Sequence, residues 1–145
     1  MIYKFRIWVY KPVTTEIFVD LTDLNSGNAV SDVIGKEGAA NCHIGKIDTS
    51  IMGTIQGATM QCLEVPTGGT ADVDLITGSD GTATEDTAAA DDENVIVSGG
   101  NFTIGLTRAG DTNLGNGRFL YLASGAAGNA TYTKGKFLIT LIGTF

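Results

Sequence analysis

The residue types that most often supply a catalytic base or nucleophile are rare in this chain of 145 residues, which contains one histidine and two cysteines. His43 directly follows Cys42, and neighbouring residues on a strand point to opposite faces, so the two side chains cannot form a Cys–His dyad there. Two cysteines are too few for a disulfide scaffold or a four-ligand zinc site. We therefore predict no catalytic residue and interpret Cys42 and Cys62 as buried, reduced thiols, while their pairing stays open.

Carboxylates are the other candidates for chemistry, because two of them facing one cleft could hydrolyse a glycosidic bond. Such a pair could be drawn from Glu64, Asp72, Asp74 or Asp80. Any acidic β protein offers as many candidates, and the sequence contains no G-x-S-x-G, H-E-x-x-H or phosphate-loop pattern. A hydrolase is therefore the weakest of three function classes that we consider.

A run of acidic residues between positions 80 and 93 raises the question of calcium, which takes six to eight oxygen ligands. The run comprises Asp80, Glu85, Asp86, Asp91, Asp92 and Glu93. Its spacing does not match the calcium-binding pattern D-x-[DN]-x-[DN]-G, so we predict no metal ligands and no cofactor. The favoured interpretation is a loop that faces solvent or another subunit, and calcium binding by loop 80–93 stays open.

The charge distribution excludes one class of partner. The span from residue 48 to residue 107 contains ten acidic and no basic residues, whereas residues 1–47 contain five of each and residues 108–145 contain four basic and one acidic. A surface with this excess of negative charge repels phosphate, so the sequence argues against nucleic-acid binding. The asymmetry is also suited to packing between copies of the chain, although a solvated acidic loop is the simpler interpretation.

Aromatic residues leave a second function class open, a carbohydrate- or receptor-binding module, since aromatic rings stack on sugars. The candidates are Trp8, Tyr3, Tyr10, Tyr121 and Tyr132. On strands with a period of two residues, such side chains belong more often to a core or an interface. The sequence therefore favours a structural role for them.

Alternating apolar and polar residues predict strands along most of the chain. We expect strands at 3–9, 15–21, 43–48, 51–65 (with a bulge near Gly53 or Gly57), 72–77, 94–98, 102–106, 118–123 and 131–145. Gly99-Gly100 is expected to join two of them in a hairpin, and single helical turns could follow Ser31 or occupy 84–90. No predicted helix could cover a sheet, so residues 1–145 are expected to form one all-β domain, an antiparallel β-sandwich of eight or nine strands, jelly-roll-like in topology.

Two strands carry more specific expectations. The strand at 72–77 alternates Asp72 and Asp74 with apolar residues, which predicts one face toward water. The run 136–145 is too apolar for an edge strand and predicts burial on both sides, either by a second sheet or by a neighbouring subunit.

The first ten residues show no secretory signal, because Lys4 and Arg6 interrupt the apolar run that such a signal requires. No stretch approaches the ~18 consecutive apolar residues of a membrane span. We therefore expect synthesis in the cytoplasm and no membrane partner.

The sequence resembles the small virion proteins of marine tailed phages, in particular capsid decoration or cement proteins. The resemblance rests on the early strand, on turns such as Thr67-Gly-Gly-Thr and Gly125-Ala-Ala-Gly-Asn, and on the final run Gly135-Lys-Phe-Leu-Ile-Thr-Leu-Ile-Gly-Thr-Phe145. It implies a non-enzymatic virion protein with a β-sandwich fold. Such a protein commonly forms homotrimers on the outer capsid, where it clamps neighbouring subunits of the major capsid protein, and it has no catalytic residues.

The charge asymmetry suggests how such a protein would be oriented. Residues 61–98 would face solvent. The N-terminal strand and the surroundings of Arg108, Arg118, Lys134 and Lys136 would face the shell or another subunit.

Overall fold

The chain forms a nearly all-β structure, as the sequence predicts. The computed structural model describes residues 11–90, 94–110 and 114–145. Within these ranges lie eight strands and one short helix. They are β1 (Pro12–Asp20), β2 (Gly45–Lys46), α1 (Thr49–Met52), β3 (Thr54–Thr67), β4 (Val73–Gly78), β5 (Asn94–Val97), β6 (Thr107–Gly110), β7 (Phe119–Ser124) and β8 (Lys134–Thr144).

The strands form two four-stranded antiparallel sheets. Sheet 1 has the order β1-β8-β3-β6, and sheet 2 has the order β2-β7-β4-β5. Their facing sides share one hydrophobic core, to which Phe137 and Met60 contribute from sheet 1 and Leu75 and Leu122 from sheet 2. This arrangement confirms the predicted β-sandwich.

Sheet 1 is built around two long strands, β3 and β8, in which buried and less buried residues alternate with a period of two. Phe137, Ile139 and Leu141 of β8 point into the core, while the residues between them are only half-buried. The pairing of β3 with β8 shifts register between Ile55 and Gly57, where the sequence predicts a bulge. The segment before this bulge is the helix α1, so the predicted strand 51–65 begins too early. Asp48 caps α1, and its side chain accepts a hydrogen bond from the Ser50 N–H.

The predicted hairpin at Gly99-Gly100 is wrong, because the chain crosses there from sheet 2 to sheet 1. The N–H groups of Gly99 and Gly100 donate to the carboxylates of Asp74 and Asp72, both at 2.6 Å. Phe102 then enters the core, with its ring centroid 4.9 Å from that of Phe137. As a result, β6 begins at residue 107, and the predicted strand 102–106 is a loop.

The central strands of sheet 2, β4 and β7, are buried on both faces, although Val95 of the edge strand β5 is 42% exposed. This burial overturns two expectations. All six residues of β4 are buried, so the strand at 72–77 has no water-facing side. Parts of the segments 26–44 and 79–90 pack on the outer face of sheet 2 and form a second apolar cluster with it, while Ile34 and Ile44 of the first segment belong to the inner core. That cluster comprises Val33, Ile76, Ala83, Ala89, Tyr121 and Ala123. The described part of residues 61–98 is therefore partly buried and not a segment that faces solvent throughout.

The two single helical turns also do not form. Ser31 has a φ of 73°, and Asp32 and Val33 beyond it make isolated bridges to Ala88 and Ala123. Residues 84–90 form turns and a bridge instead of a helix. Both segments are extended or turned and not helical, because their apolar side chains pack against sheet 2. The predicted first strand, 3–9, lies outside the described residues.

The outer face of sheet 1 contrasts with that of sheet 2. On β8 the side chain of Ile142 is 43% exposed, and Leu138 and Thr140 are half-buried. The prediction that run 136–145 is buried on both sides is confirmed for the inner face, which sheet 2 covers, while cover of the outer face by a neighbouring subunit stays a prediction.

Two phenylalanines in sheet 1 should separate these faces experimentally. We expect Phe137→Ala to destabilise the fold by about 3–5 kcal/mol, because it empties a fully buried site. Phe18→Ala, on neighbouring β1, should cost less than about 1 kcal/mol because this ring is 60% exposed. Urea unfolding followed by circular dichroism measures both. Equal losses would contradict the burial pattern.

Candidate functional site

His43 and Cys42 do not form an activated pair. The exposed imidazole of His43 packs edge-on against Phe119, with ring centroids 5.0 Å apart. The half-buried Cys42 thiol donates to the Ala39 carbonyl at 3.2 Å. Burial raises the pKa of the Cys42 thiol, which therefore stays protonated at neutral pH and is a poor nucleophile. Cys42 and Cys62 are both free, and only Cys62 is fully buried.

The four candidate carboxylates lie apart, and each accepts hydrogen bonds that serve the fold. Glu64 forms an ion pair with Lys136 at 2.6 Å on the outer face of sheet 1. Asp80 accepts from the N–H and the hydroxyl of Thr82 at 2.9 and 2.7 Å. Asp72 and Asp74 anchor the 99–100 crossing, as described above. Only these last two are neighbours, and Asp74 is just 8% exposed, too little to reach a substrate.

The described part of the acidic loop is also committed to structure. The buried carboxylate of Glu85 accepts the Gly38 N–H at 3.1 Å. Asp86 accepts from both the backbone N–H and the side-chain amide of Asn28, at 2.5 and 2.6 Å. Among the described residues, no three His, Cys, Asp or Glu side chains are grouped as a metal site requires. The candidates Asp91, Asp92 and Glu93 lie outside the described residues.

The tyrosines that the structure describes belong to the core. Tyr121 and Tyr132 are almost fully buried, and their hydroxyls donate to the carbonyls of Asp80 and Thr70 at 2.7 and 2.8 Å. Burial raises the pKa of both phenols. Neither ring offers a face to a sugar. The other aromatic candidates, Trp8, Tyr3 and Tyr10, lie outside the described residues.

The four basic residues of the C-terminal part do not form one patch. Arg118 bonds to Thr77 within sheet 2, whereas Lys136 pairs with Glu64 on sheet 1. Arg108 lies over the Phe102 ring, with its guanidinium carbon 5.5 Å from the ring centroid. Lys134 is exposed at the start of β8. Charge asymmetry along the sequence therefore does not correspond to a single basic surface.

The most distinctive surface is the outer face of sheet 1, which we call the open face. Cross-strand pairing aligns Phe18 of β1 with Leu138 of β8, and Leu138 with Gln61 of β3. Phe18 is 60% exposed, and Leu63 and Ile142 are 42% and 43% exposed. Threonines and a few charged residues surround this apolar centre. They are Thr14, Glu16, Asp20, Thr59, Glu64, Lys136 and Thr140.

Large apolar side chains in water are unfavourable when they cluster on one flat face, and such patches commonly mark protein interfaces. The open face has no loop over it among the described residues, whereas the central strands β4 and β7 of sheet 2 are covered by their own chain. The signal was present in the sequence, since β1 and β8 carry apolar residues at both odd and even positions. That pattern predicts two covered faces without identifying what covers the second one.

Comparison with known proteins adds no relative, since no protein-family model, no curated protein and no solved structure matches this chain. Within the described residues, no helix is long and apolar enough to cross a membrane.

Two hydrogen-bonded carboxylates, Asp74 and Asp80, should change the stability of the fold in opposite directions when they are neutralised. Burial raises the pKa of Asp74, although the Gly99 N–H partly offsets this, so ionisation of Asp74 opposes folding at neutral pH. Asp74→Asn keeps an acceptor oxygen and should raise the urea midpoint at pH 7. The gain should shrink as pH falls through the folded-state pKa and disappear below the unfolded-state pKa, where both states are protonated.

Asp80 provides the control with the opposite sign. Bonds from Thr82 lower the pKa of Asp80, so its ionised form stabilises the fold. Asp80→Asn should lower the urea midpoint at pH 7, and the loss should disappear as pH falls below the folded-state pKa. Equal pH dependence in the two variants would contradict this assignment.

Proposed function

We propose that the protein is a non-enzymatic structural component of a phage virion, a decoration protein that binds the outer capsid surface and stabilises the assembled shell. The observation that carries the proposal is the open face, on which the side chains of Phe18, Leu63 and Ile142 are exposed among polar neighbours and which has no covering element among the described residues. A clamp requires such a contact surface and no reactive group. The resemblance of the sequence to capsid decoration proteins supports the same role and gives the major capsid protein as the partner.

The topology is compatible with this role. Strands pair as β1 with β8, β2 with β7, β3 with β6 and β4 with β5. This nested order supports classifying the sandwich as a jelly roll, an architecture that recurs in viral capsid and lectin domains. The fold alone does not select a function, and the proposal depends on the surface.

The energetics of a clamp also suit the open face. A protein that binds only the assembled shell stabilises that state by mass action, in proportion to the logarithm of its concentration over Kd. Burying apolar area contributes roughly 25 cal/mol per Å² before the costs of association. Exposed side chains such as Phe18, Leu63 and Ile142 therefore supply affinity without loss of the folded core. A homo-oligomer, which the resemblance suggests is a trimer, would present several such faces at once.

A carbohydrate- or receptor-binding module is the competing function. The burial of Tyr121 and Tyr132 and the absence of a metal-type cluster among the described residues both disfavour it. A glycan array probed with the purified protein distinguishes the two functions, because a decoration protein should bind no glycan above background.

The shell-binding proposal predicts a specific effect at Leu63. This residue lies on β3, two strands away from the edge strand β1. A substitution there therefore tests the open face without changing β1. Leu63→Asp should weaken co-sedimentation with expanded shells of the parent virus at least about tenfold, equivalent to ~1.4 kcal/mol, because it places a charge in the apolar contact.

Val30→Asp is the matched control, since Val30 is 59% exposed in the segment that covers sheet 2. It should leave shell binding unchanged. The melting temperatures of both variants establish that the fold is intact. Wild-type binding by a folded Leu63→Asp variant would contradict the proposal that the open face contacts the shell.

A further inference from the structure

Residues 35–43 form a loop, the 35–43 loop, that leaves sheet 2 and returns to the same strand. The N–H of Ile34, just before the loop, donates to the Leu122 carbonyl at 2.9 Å. The N–H of Ile44, just after it, donates to the Leu120 carbonyl at 2.8 Å. Both carbonyls belong to β7, so the two ends of the loop are bonded to one strand.

Hydrogen bonds to Glu85 fix the position of this loop. The Glu85 N–H donates to the Ala39 carbonyl at 2.9 Å, and the Glu85 carboxylate accepts the Gly38 N–H at 3.1 Å. Gly35 lets the ends of the loop approach each other, because a Cβ at this position would lie 2.5 Å from the Cys42 sulphur. The conformation of the loop is therefore set by the fold itself.

Between this loop and the core lies a cavity of about 230 Å³, which we call the loop cavity. Val19, Ile34 and Leu122, which line it, are almost fully buried, and Leu24 and Ile44 add two half-buried apolar side chains. An apolar cavity of ~150 Å³ can bind benzene. The loop cavity therefore has room for an apolar group of about eight carbon atoms.

The polar part of the lining carries positive charge. Its polar side chains are those of Lys36, Asn41 and His43, all of them exposed. Among the described residues, no carboxylate lines the cavity, although the chain has a net charge of −7. Glu37 and Glu85 are outside the lining. The Lys36 ammonium forms no ion pair or hydrogen bond within the described part of the chain, so it is available to an anion.

We propose that the loop cavity binds a small amphiphilic carboxylate, with its apolar chain against Ile34 and Leu122 and its carboxylate at Lys36. Burial of the chain drives binding, because it removes apolar surface of both the ligand and the cavity from water. Lys36 sets the preference for an anionic head group, since it attracts a carboxylate and repels an ammonium group. Because hydrogen bonds already fix the loop, little conformational entropy is lost on binding.

This inference goes beyond the capsid role and does not depend on it. The exposed apolar residues of the open face, Phe18, Leu63 and Ile142, do not line the loop cavity. The contribution of β1 to the lining is Val19, a residue of the core. The two proposals can therefore fail separately.

Isothermal titration calorimetry on the purified protein is the first test. Octanoate is the probe, and octylamine is the matched control because it has a chain of the same length and a cationic head group. Octanoate should bind saturably, and octylamine should have a Kd at least about tenfold higher at pH 7. Absence of saturable octanoate binding, or equal Kd values for the two probes, would overturn the proposal.

Lys36→Ala then tests the contact with the head group. It should raise the Kd of octanoate about threefold or more, because an ion pair is lost, and leave the Kd of uncharged octanol unchanged. Lys46→Ala is the matched control, since Lys46 is also exposed but does not line the cavity. An unchanged octanoate Kd in the Lys36→Ala variant would contradict the assignment of the carboxylate to Lys36.

The half-buried thiol of Cys42, which also lines the cavity, reports where the ligand binds. Octanoate at about ten times its Kd should slow alkylation of Cys42 by N-ethylmaleimide about tenfold, because by mass action only about a tenth of the sites stay empty. Mass spectrometry separates Cys42 from the fully buried Cys62. Acetate, which has the head group without the chain, should give no protection. An unchanged rate at saturating octanoate would place the ligand elsewhere and overturn the proposal.

Discussion

The whole structure depends on the requirement that each sheet of a sandwich bury an apolar face. The two inner faces satisfy it against each other, with Phe137, Ile139 and Leu141 of β8 meeting Leu75 and Leu122 of sheet 2. Sheet 2 satisfies it a second time, because its outer face is apolar and two segments of the same chain cover it. Sheet 1 has an apolar outer centre as well, and no described segment lies over it. The capsid proposal follows from this asymmetry.

Several acidic residues serve as hydrogen-bond acceptors that fix the positions of loops. Glu85 accepts a hydrogen bond from the Gly38 N–H, and Asp86 accepts one from the Asn28 N–H. Asp72 and Asp74 accept the N–H groups at the crossing from sheet 2 to sheet 1. A carboxylate that accepts a backbone N–H satisfies a donor that would otherwise be costly to bury. These described carboxylates therefore anchor loops, and no three of the described His, Cys, Asp or Glu side chains are grouped as a metal site requires.

The sequence predicted the fold class because period-two alternation is a local signal, readable along β3 and β8 without tertiary information. It failed where tertiary contacts decided the conformation. Gly99-Gly100 has the composition of a hairpin turn, but its N–H groups donate to the carboxylates of Asp74 and Asp72, which are distant in sequence. Likewise, Asp72 and Asp74 look solvent-facing in the sequence, yet β4 is covered by a loop whose path no local pattern encodes. The open face was anticipated in part, since the apolar run of β8 predicts two covered faces.

The central claim is that the protein stabilises an assembled shell through the open face of sheet 1. The most direct measurement is the temperature at which expanded shells of the parent virus, stripped of this protein, disassemble with and without a saturating amount of it. We predict a rise that grows with the logarithm of protein concentration and is lost with Leu63→Asp but retained with Val30→Asp. An unchanged disassembly temperature at saturating protein would contradict it.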